Sequence, residues 1–138
     1  DYYCPLEYHW VLGGCFMVNS YTGSGGRTDW SNTRLACQAL HGDLAHITDP
    51  HRFAAYIAIH HDDGTGNPDV WIGAQRDGDE FKWLNGTSIP NDSPLWSRGH
   101  PRELDPDLQR DCAFLDGNGL LRSAGCQYDK HSVCEYMP

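Results

Sequence analysis

No apolar run in these 138 residues approaches the ~20 positions a membrane-spanning helix needs. Positive charge is scarce: ten Lys and Arg face nineteen Asp and Glu, a net charge of -9 that argues against general nucleic-acid binding. No two cysteines have CxxC spacing, so a zinc ribbon or thioredoxin-like motif lacks its paired thiols. Neither a Gly-x-Ser-x-Gly elbow nor an HExxH helix occurs, and no triad can be argued, so the chain reads as a non-enzyme. It has no internal repeat, no low-complexity tract and no obvious linker. It opens at Asp1-Tyr2-Tyr3-Cys4 without a basic and apolar leader, and the expectation is that any secretory signal has already been removed.

What is present is six Cys, five Trp, fifteen Gly and eight Pro, the composition of a stapled, loop-rich domain. At 15.5 kDa the chain is the size of one domain, and residues 1–138 are read as one. The cysteines stand at 4, 15, 37, 112, 126 and 134. An even set without metal-ligand spacing is read as three disulfides, which implies an oxidising compartment and a secreted, extracellular protein. Spacing alone leaves fifteen connectivities open.

Glycine-broken strands are expected at Trp10-Val11-Leu12 and Cys15-Phe16-Met17-Val18. A helix follows with Thr28 or Asp29 as cap and Gly42 as its end. A second helix is expected behind Thr48 or Asp49, with Pro50 at its first position and Phe53, Ala54, Tyr56, Ile57 and Ile59 as its apolar residues. Strand-like runs then appear at Val70-Trp71-Ile72, Phe81-Lys82-Trp83-Leu84, Cys112-Ala113-Phe114-Leu115 and Ser132-Val133-Cys134. Residues 85–111 are rich in Pro, Gly, Asn and Asp and read as one long loop, a length that points to function. Two early helices followed by strands around a long loop make an α+β domain. Trp30, Trp71, Trp83 and Trp96 are read as core and loop anchors.

The residues taken in order resemble the C-type lectin-like domain, in its long form with three disulfides, over nearly the whole chain. Cys4-Pro5 with Trp10 and Cys15 is similar to the N-terminal hairpin of that long form. Trp30, Ala36-Cys37 and Gly42-Asp43-Leu44-Ala45-His46-Ile47 are similar to its first helix and the turn beyond. Trp71-Ile72-Gly73-Ala74 resembles the WIGL core strand except at its last residue. Phe81-x-Trp83, Gly86-Thr87, Trp96-x-x-Gly99-x-Pro101, Asp111-Cys112 and Val133-Cys134-Glu135 complete the series. The resemblance implies two helices with small antiparallel sheets and a long loop. It also implies the pairs Cys4–Cys15, Cys37–Cys134 and Cys112–Cys126, and a cis bond before Pro101.

In that family, sugar binding depends on a calcium ion held by an EPN or QPD triplet, a carboxylate before the next strand, and a WND triplet. Calcium takes six to eight oxygens. Here the first triplet is His100-Pro101-Arg102, the carboxylate position is Arg110, and the last triplet is Leu121-Arg122-Ser123, so the usual calcium site is read as absent and no cofactor is expected. His100, Arg102, Arg110, Arg122 and Ser123 become the candidate ligand-binding residues. Two readings of the arginines stay open. Glu103, Asp105, Asp107, Asp111 and Asp116 can pair them internally, which is the preferred account, or they bind a sulfate, uronate or sialate carboxylate through bidentate hydrogen bonds.

Other candidates carry less. Glu103, Asp105 and Asp107 could gather oxygens around a non-standard calcium site, though a solvated acidic loop is preferred. His60-His61-Asp62-Asp63 has metal-ligand residue types but is read as surface loop. Asn85-Gly86-Thr87 and Asn91-Asp92-Ser93 both satisfy the glycosylation sequon. The leading expectation is a secreted recognition module for a glycan, including acidic glycans, or for an extracellular protein. The alternatives are a calcium-dependent lectin with a displaced site and a structural matrix, mineral- or ice-associating protein.

Overall fold

The computed structural model describes residues 4–5, 8–11, 13–19, 29–50, 52–53, 69–78, 80–99 and 111–137. Among these, the elements in chain order are β1 (His9–Val11), β2 (Gly14–Asn19), α1 (Trp30–Ala39), β3 (Gly42–Leu44), β4 (Val70–Asp77), β5 (Glu80–Trp83), β6 (Ser88–Ile89), β7 (Cys112–Leu115), β8 (Leu121–Ala124) and β9 (His131–Tyr136). The α+β class and the three expected disulfides, 4–15, 37–134 and 112–126, are all present.

The strands join as one nine-stranded network along the path β1-β2-β9-β4-β5-β6. β3 adds to β9, and β7 pairs with both β4 and β8. The link between the two halves is a short parallel pairing of β4 with β9, Val70 opposite His131 and Trp71 opposite Ser132. The other strand pairs are antiparallel.

β4 explains its own near-continuous apolar sequence, because both faces of the strand are covered. Val70, Ile72 and Ala74 point into a cluster with Phe16, Val18, Phe53, Phe81, Trp96, Leu115 and Val133. Trp71, between them, points the other way, toward Trp30, Cys37, Met17, Phe114 and Cys134. The same alternation runs along β7, where Ala113 and Leu115 join the first cluster while Cys112 and Phe114 join the second. Trp30, Trp71, Trp83 and Trp96 are all buried. The buried indole N–H groups of Trp30 and Trp96 find carbonyl partners, Ile72 at 2.9 Å and Pro90 at 3.0 Å.

Asp29 is the cap of α1, its carboxylate accepting the N–H of Asn32 at 2.9 Å. Asp49 caps the second helical turn in the same way: its carboxylate accepts the N–H of Arg52, and its carbonyl accepts that of Phe53. That turn is described at Pro50, Arg52 and Phe53, and the rest of the expected second helix lies outside the described residues.

The end of α1 differs from expectation. His41, not Gly42, takes the left-handed conformation, with φ of 67°. Gly42 is needed instead inside β3, where a Cβ would collide with the Glu135 carbonyl oxygen and the Tyr8 hydroxyl. That hydroxyl donates to the Leu40 carbonyl at 2.8 Å, occupying one of the free acceptors at the helix end. Gly73 has a similar purpose, since a Cβ there would stand 2.6 Å from the Leu44 carbonyl oxygen.

The loop after residue 85 is less open than its composition suggests. It contains β6, and Trp96 forms an isolated bridge to Leu121 of β8. The Leu121 N–H donates to the Leu95 carbonyl at 2.9 Å, and the Ser97 N–H donates to the Leu121 carbonyl at 2.8 Å.

The three disulfides close loops of very different length, with sequence separations of 11, 97 and 14. On the chain-entropy account, replacing Cys37 and Cys134 together by alanine lowers the unfolding free energy by about 5 kcal/mol, against about 3 kcal/mol for Cys4 and Cys15. Urea denaturation of the two double variants beside the parent checks the order. A larger loss from the 4–15 pair would refute it.

Candidate functional site

The hairpin joining β7 to β8 builds one exposed charged face. At its turn the buried Asp116 accepts the N–H groups of Asn118 at 2.9 Å and Leu120 at 3.0 Å through Oδ1. This leaves Oδ2 for Arg122, whose Nε lies 3.2 Å away. Side chains alternate across β8: Leu121 and Ser123 are buried at 0% and 2% exposure, whereas the Arg122 side chain is 45% exposed. Arg122 and Ser123 are therefore adjacent in sequence but do not share a surface. A guanidinium carries five N–H donors. The Arg122 Nε faces Asp116, and Arg122 is also within electrostatic reach of Asp69.

Asp69 lies within electrostatic reach of both members of this pair. Lys130 lies 4.0 Å from Asp69 and 4.0 Å above the Phe114 ring centre. Burial pushes the Asp69 carboxyl above the usual carboxylate range, and Asp116 adds to the rise, while Lys130, Arg122 and a hydrogen bond from the Gly117 backbone oppose it. At the other end of β7, Asp111 faces Arg76 at 3.4 Å, and the Arg76 guanidinium sits 4.9 Å over the Phe81 ring. Arg76 carried no signal in the sequence, since its partner is 35 positions away in the chain and only the pairing of β4 with β7 brings them together.

Of the five candidate ligand residues, Arg122 and Ser123 are placed. His100, Arg102 and Arg110 lie outside the described residues, as do Glu103, Asp105, Asp107, Pro101 and the stretch His60–Asp63. Among the described residues no group of three or more His, Cys, Asp and Glu is arranged to hold a metal ion.

A second feature lies elsewhere on the surface. A groove of about 350 Å³ is lined by Asp43, His46, Leu84, Asn85, Glu135 and Met137, among others. Glu135, next to the half-cystine Cys134, accepts the backbone N–H of His46 at 3.0 Å. The His46 ring stacks on Trp83 with centroids 4.5 Å apart. Asn85 accepts the Thr87 N–H through Oδ1 at 2.9 Å, which fixes its amide so that Nδ2 faces His46 Nδ1 at 3.0 Å. Nδ2 can only donate, so Nδ1 is the acceptor and the imidazole proton sits on Nε2. Asp43 is held by Arg34 in a two-point pair, at 3.0 and 3.2 Å. His46 and Glu135 are 89 positions apart, and nothing in the sequence links them.

The lectin C-type domain profile matches residues 27–136. The CD209 antigen of Symphalangus syndactylus is 26% identical over 136 residues, which cover 96% of this chain and 32% of the relative. The secretory phospholipase A2 receptor of Pongo abelii is 30% identical over 111 residues, covering 78% of this chain and 7% of the receptor. The chain thus spans about a third or less of the length of these two relatives. Among solved structures, the carbohydrate-recognition domain of the mouse scavenger receptor C-type lectin superposes with a TM-score of 0.71 at 22% identity, covering 98% of each chain. The carbohydrate-recognition domain of cow CD23 does so at 0.72 and 23%, covering 99% of this chain and 97% of that one. A calcium-independent type II antifreeze protein gives 0.70 at 20%, covering 96% of this chain and 93% of that one. The chain belongs to the C-type lectin domain family.

Burial lowers the His46 pKa from its ordinary value, and the nearby Glu135 charge opposes that shift. A histidine whose folded pKa is depressed binds protons more readily when unfolded. Its contribution to stability is therefore complete above the ordinary histidine pKa and is lost as pH falls through the folded one. Unfolding free energy is expected to drop as pH goes from about 7 toward 5, and His46→Gln should flatten that slope. Denaturant titrations across this range check the slope, and an imidazole NMR titration checks the direction of the shift. A His46 that titrates above the ordinary histidine value would refute the account.

Proposed function

We propose that this domain is an extracellular recognition module that binds acidic glycans through Arg122, without a caged calcium ion. The observation that carries this reading is the Asp116–Arg122 pair. Asp116 is buried and held by two backbone N–H groups, so it orients the guanidinium by its Nε edge. The remaining donors stand ready for a carboxylate or sulfate in a bidentate arrangement. Arg122 also occupies the middle of Leu121-Arg122-Ser123, the triplet that stands where the family keeps calcium ligands. One side chain of that triplet is exposed, and it is a cation.

The relatives support a glycan ligand. The CD23 domain was solved in the presence of a GlcNAc2Man3 oligosaccharide, and the mouse scavenger receptor domain is described as a carbohydrate-recognition domain. Three disulfides support an extracellular location. Among the described residues no helix is long and apolar enough to cross a membrane. Recognition rather than catalysis is the reading, because the sequence carries no nucleophile-elbow or metalloprotease motif and C-type lectin domains are generally recognition modules.

A glycan array probed with calcium and again with chelator tests the proposal. Sulfated and carboxylated glycans should bind equally in both, while neutral mannose and galactose ligands should bind little. Raising salt should weaken the binding, because exposed charges are screened over about 8 Å at physiological ionic strength. Arg122→Ala should reduce affinity about tenfold or more, the value of a hydrogen bond to a charged group. Acidic-glycan binding left unchanged by Arg122→Ala would overturn the proposal.

Calcium should also leave thermal stability unchanged. A ligand at a hundredfold excess over its Kd would add about 2.7 kcal/mol. A rise in Tm of several degrees with millimolar calcium would therefore reveal an ion site, with Glu103, Asp105 and Asp107 first in line.

A further inference from the structure

The groove beside His46 shares no residue with the Arg122 face, and one of its walls is a sequon asparagine. We propose that Asn85 carries an N-linked glycan whose first N-acetylglucosamine lies in this groove, closing it while leaving the Arg122 face open. The inference rests on the extracellular reading, since the modification requires passage through a glycosylating secretory route.

The geometry of the Asn85 carrier supports it. Asn85-Gly86-Thr87 forms the turn between β5 and β6, with Gly86 at φ of 93°. Backbone bonds fix the turn: Trp83 N–H to the Thr87 carbonyl at 2.8 Å, Gly86 N–H to the Trp83 carbonyl at 2.9 Å, and Leu84 N–H to the Gly73 carbonyl at 2.8 Å. Asn85 itself is exposed, yet its amide is not free to rotate, because Thr87 holds Oδ1. The nitrogen that would bear the sugar is thereby turned toward His46, at the groove wall. After substitution that nitrogen keeps one hydrogen, as many as the bond to His46 Nδ1 needs.

The groove suits one sugar ring. Its volume of about 350 Å³ is at the small end of ligand sites, which run from roughly 300 to 1,000 Å³. Leu84 and Met137 offer apolar surface to the face of a pyranose, and Glu135 and Asn85 offer polar atoms to its rim. The Met137 backbone is tied to the body by its N–H bond to the His41 carbonyl at 3.1 Å, so this wall is held in place. The covalent step is the ordinary one for a sequon. Asn85 Nδ2 attacks the anomeric carbon of a polyprenyl-pyrophosphate-linked oligosaccharide, forming the C–N bond. The C–O bond to pyrophosphate breaks, the polyprenyl pyrophosphate leaves with the bonding pair, and the nitrogen loses one proton to the transferase base.

The test uses protein secreted from a glycosylating host. Trypsin cuts after Lys82 and Arg98, so one peptide holds both Asn85 and Asn91. Enzymatic glycan release in heavy-oxygen water converts an occupied asparagine to labelled aspartate, and fragmentation then assigns the label. Label at Asn85 is expected, and Thr87→Ala should abolish it while leaving the Asn85 side chain in place. The seat is read from the two methionines, Met137 at the groove and Met17 in the core, which are 45% and 2% exposed. Glycoprotein trimmed to a single N-acetylglucosamine should form Met137 sulfoxide about threefold more slowly in peroxide than the Thr87→Ala protein, with Met17 equal in both. Asn85→Gln should behave as Thr87→Ala does. Secreted, fully disulfide-bonded protein with bare Asn85 would overturn the inference and leave the acidic-glycan reading intact. An occupied Asn85 with unchanged Met137 oxidation would overturn the seat in the groove.

Discussion

The bond between Cys37 and Cys134 is the constraint on which the other contacts depend. It fastens α1 to β9, and β9 in turn pairs with β2, β3 and β4. β9 is therefore the strand where the first and last parts of the chain meet the middle. A hydrophobic core of this size has little to spare against the entropy of ordering long glycine- and proline-rich stretches. Closing a loop of 97 residues in the unfolded state offsets part of that cost. Once β9 is fixed, its neighbours bury both faces of β4. Trp71 and Ile72 can then point in opposite directions and still both be enclosed.

Much of this frame was legible in the residues themselves. The pairs Thr28-Asp29 and Thr48-Asp49 announced the two helix starts because short polar side chains satisfy free N–H groups there, and in each pair the aspartate is the cap. Val70-Trp71-Ile72 and Cys112-Ala113-Phe114-Leu115 announced buried strands by their unbroken apolarity. The short elements were silent. β3 and β6 have three and two residues, too few to display a period. β8 reads Leu-Arg-Ser-Ala, and its inward serine breaks the apolar alternation by which a strand is recognised. Gly42 misled because glycine usually ends a helix through its φ. Here it is required by the absence of a side chain, and His41 accepts the positive φ instead.

The candidate site was legible only where it is local. Arg122 could be suspected from the triplet it interrupts, and Asp116 was one of five acids that could pair it, yet which acid does so and the direction of the side chain come from the turn of the β7–β8 hairpin. The sequon Asn85-Gly86-Thr87 was visible as a string, but not that its amide meets His46 across 39 positions. Electrostatics separates these two regions. Arg122 is a permanent cation steadied by a buried carboxylate, whereas burial lowers the His46 pKa against the opposing charge of Glu135. The first region suits contact with a charged partner, and the second is sensitive to acid.

The anchoring of residues 95–97 on β8 fixes one end of the long loop to the strand frame. Upstream, Leu95 and Ser97 hold Leu121 by backbone bonds, which do not depend on side-chain identity. Downstream, Cys112 begins β7 and is tied to Cys126. Entry to and exit from the stretch between these two points are therefore set by the frame. A one-residue slip along β4 would reverse which of its side chains face each of the two core clusters. An insertion between residues 99 and 111 would leave both backbone bonds to Leu121 and the Cys112–Cys126 tie in place, and so would cost the strand frame little.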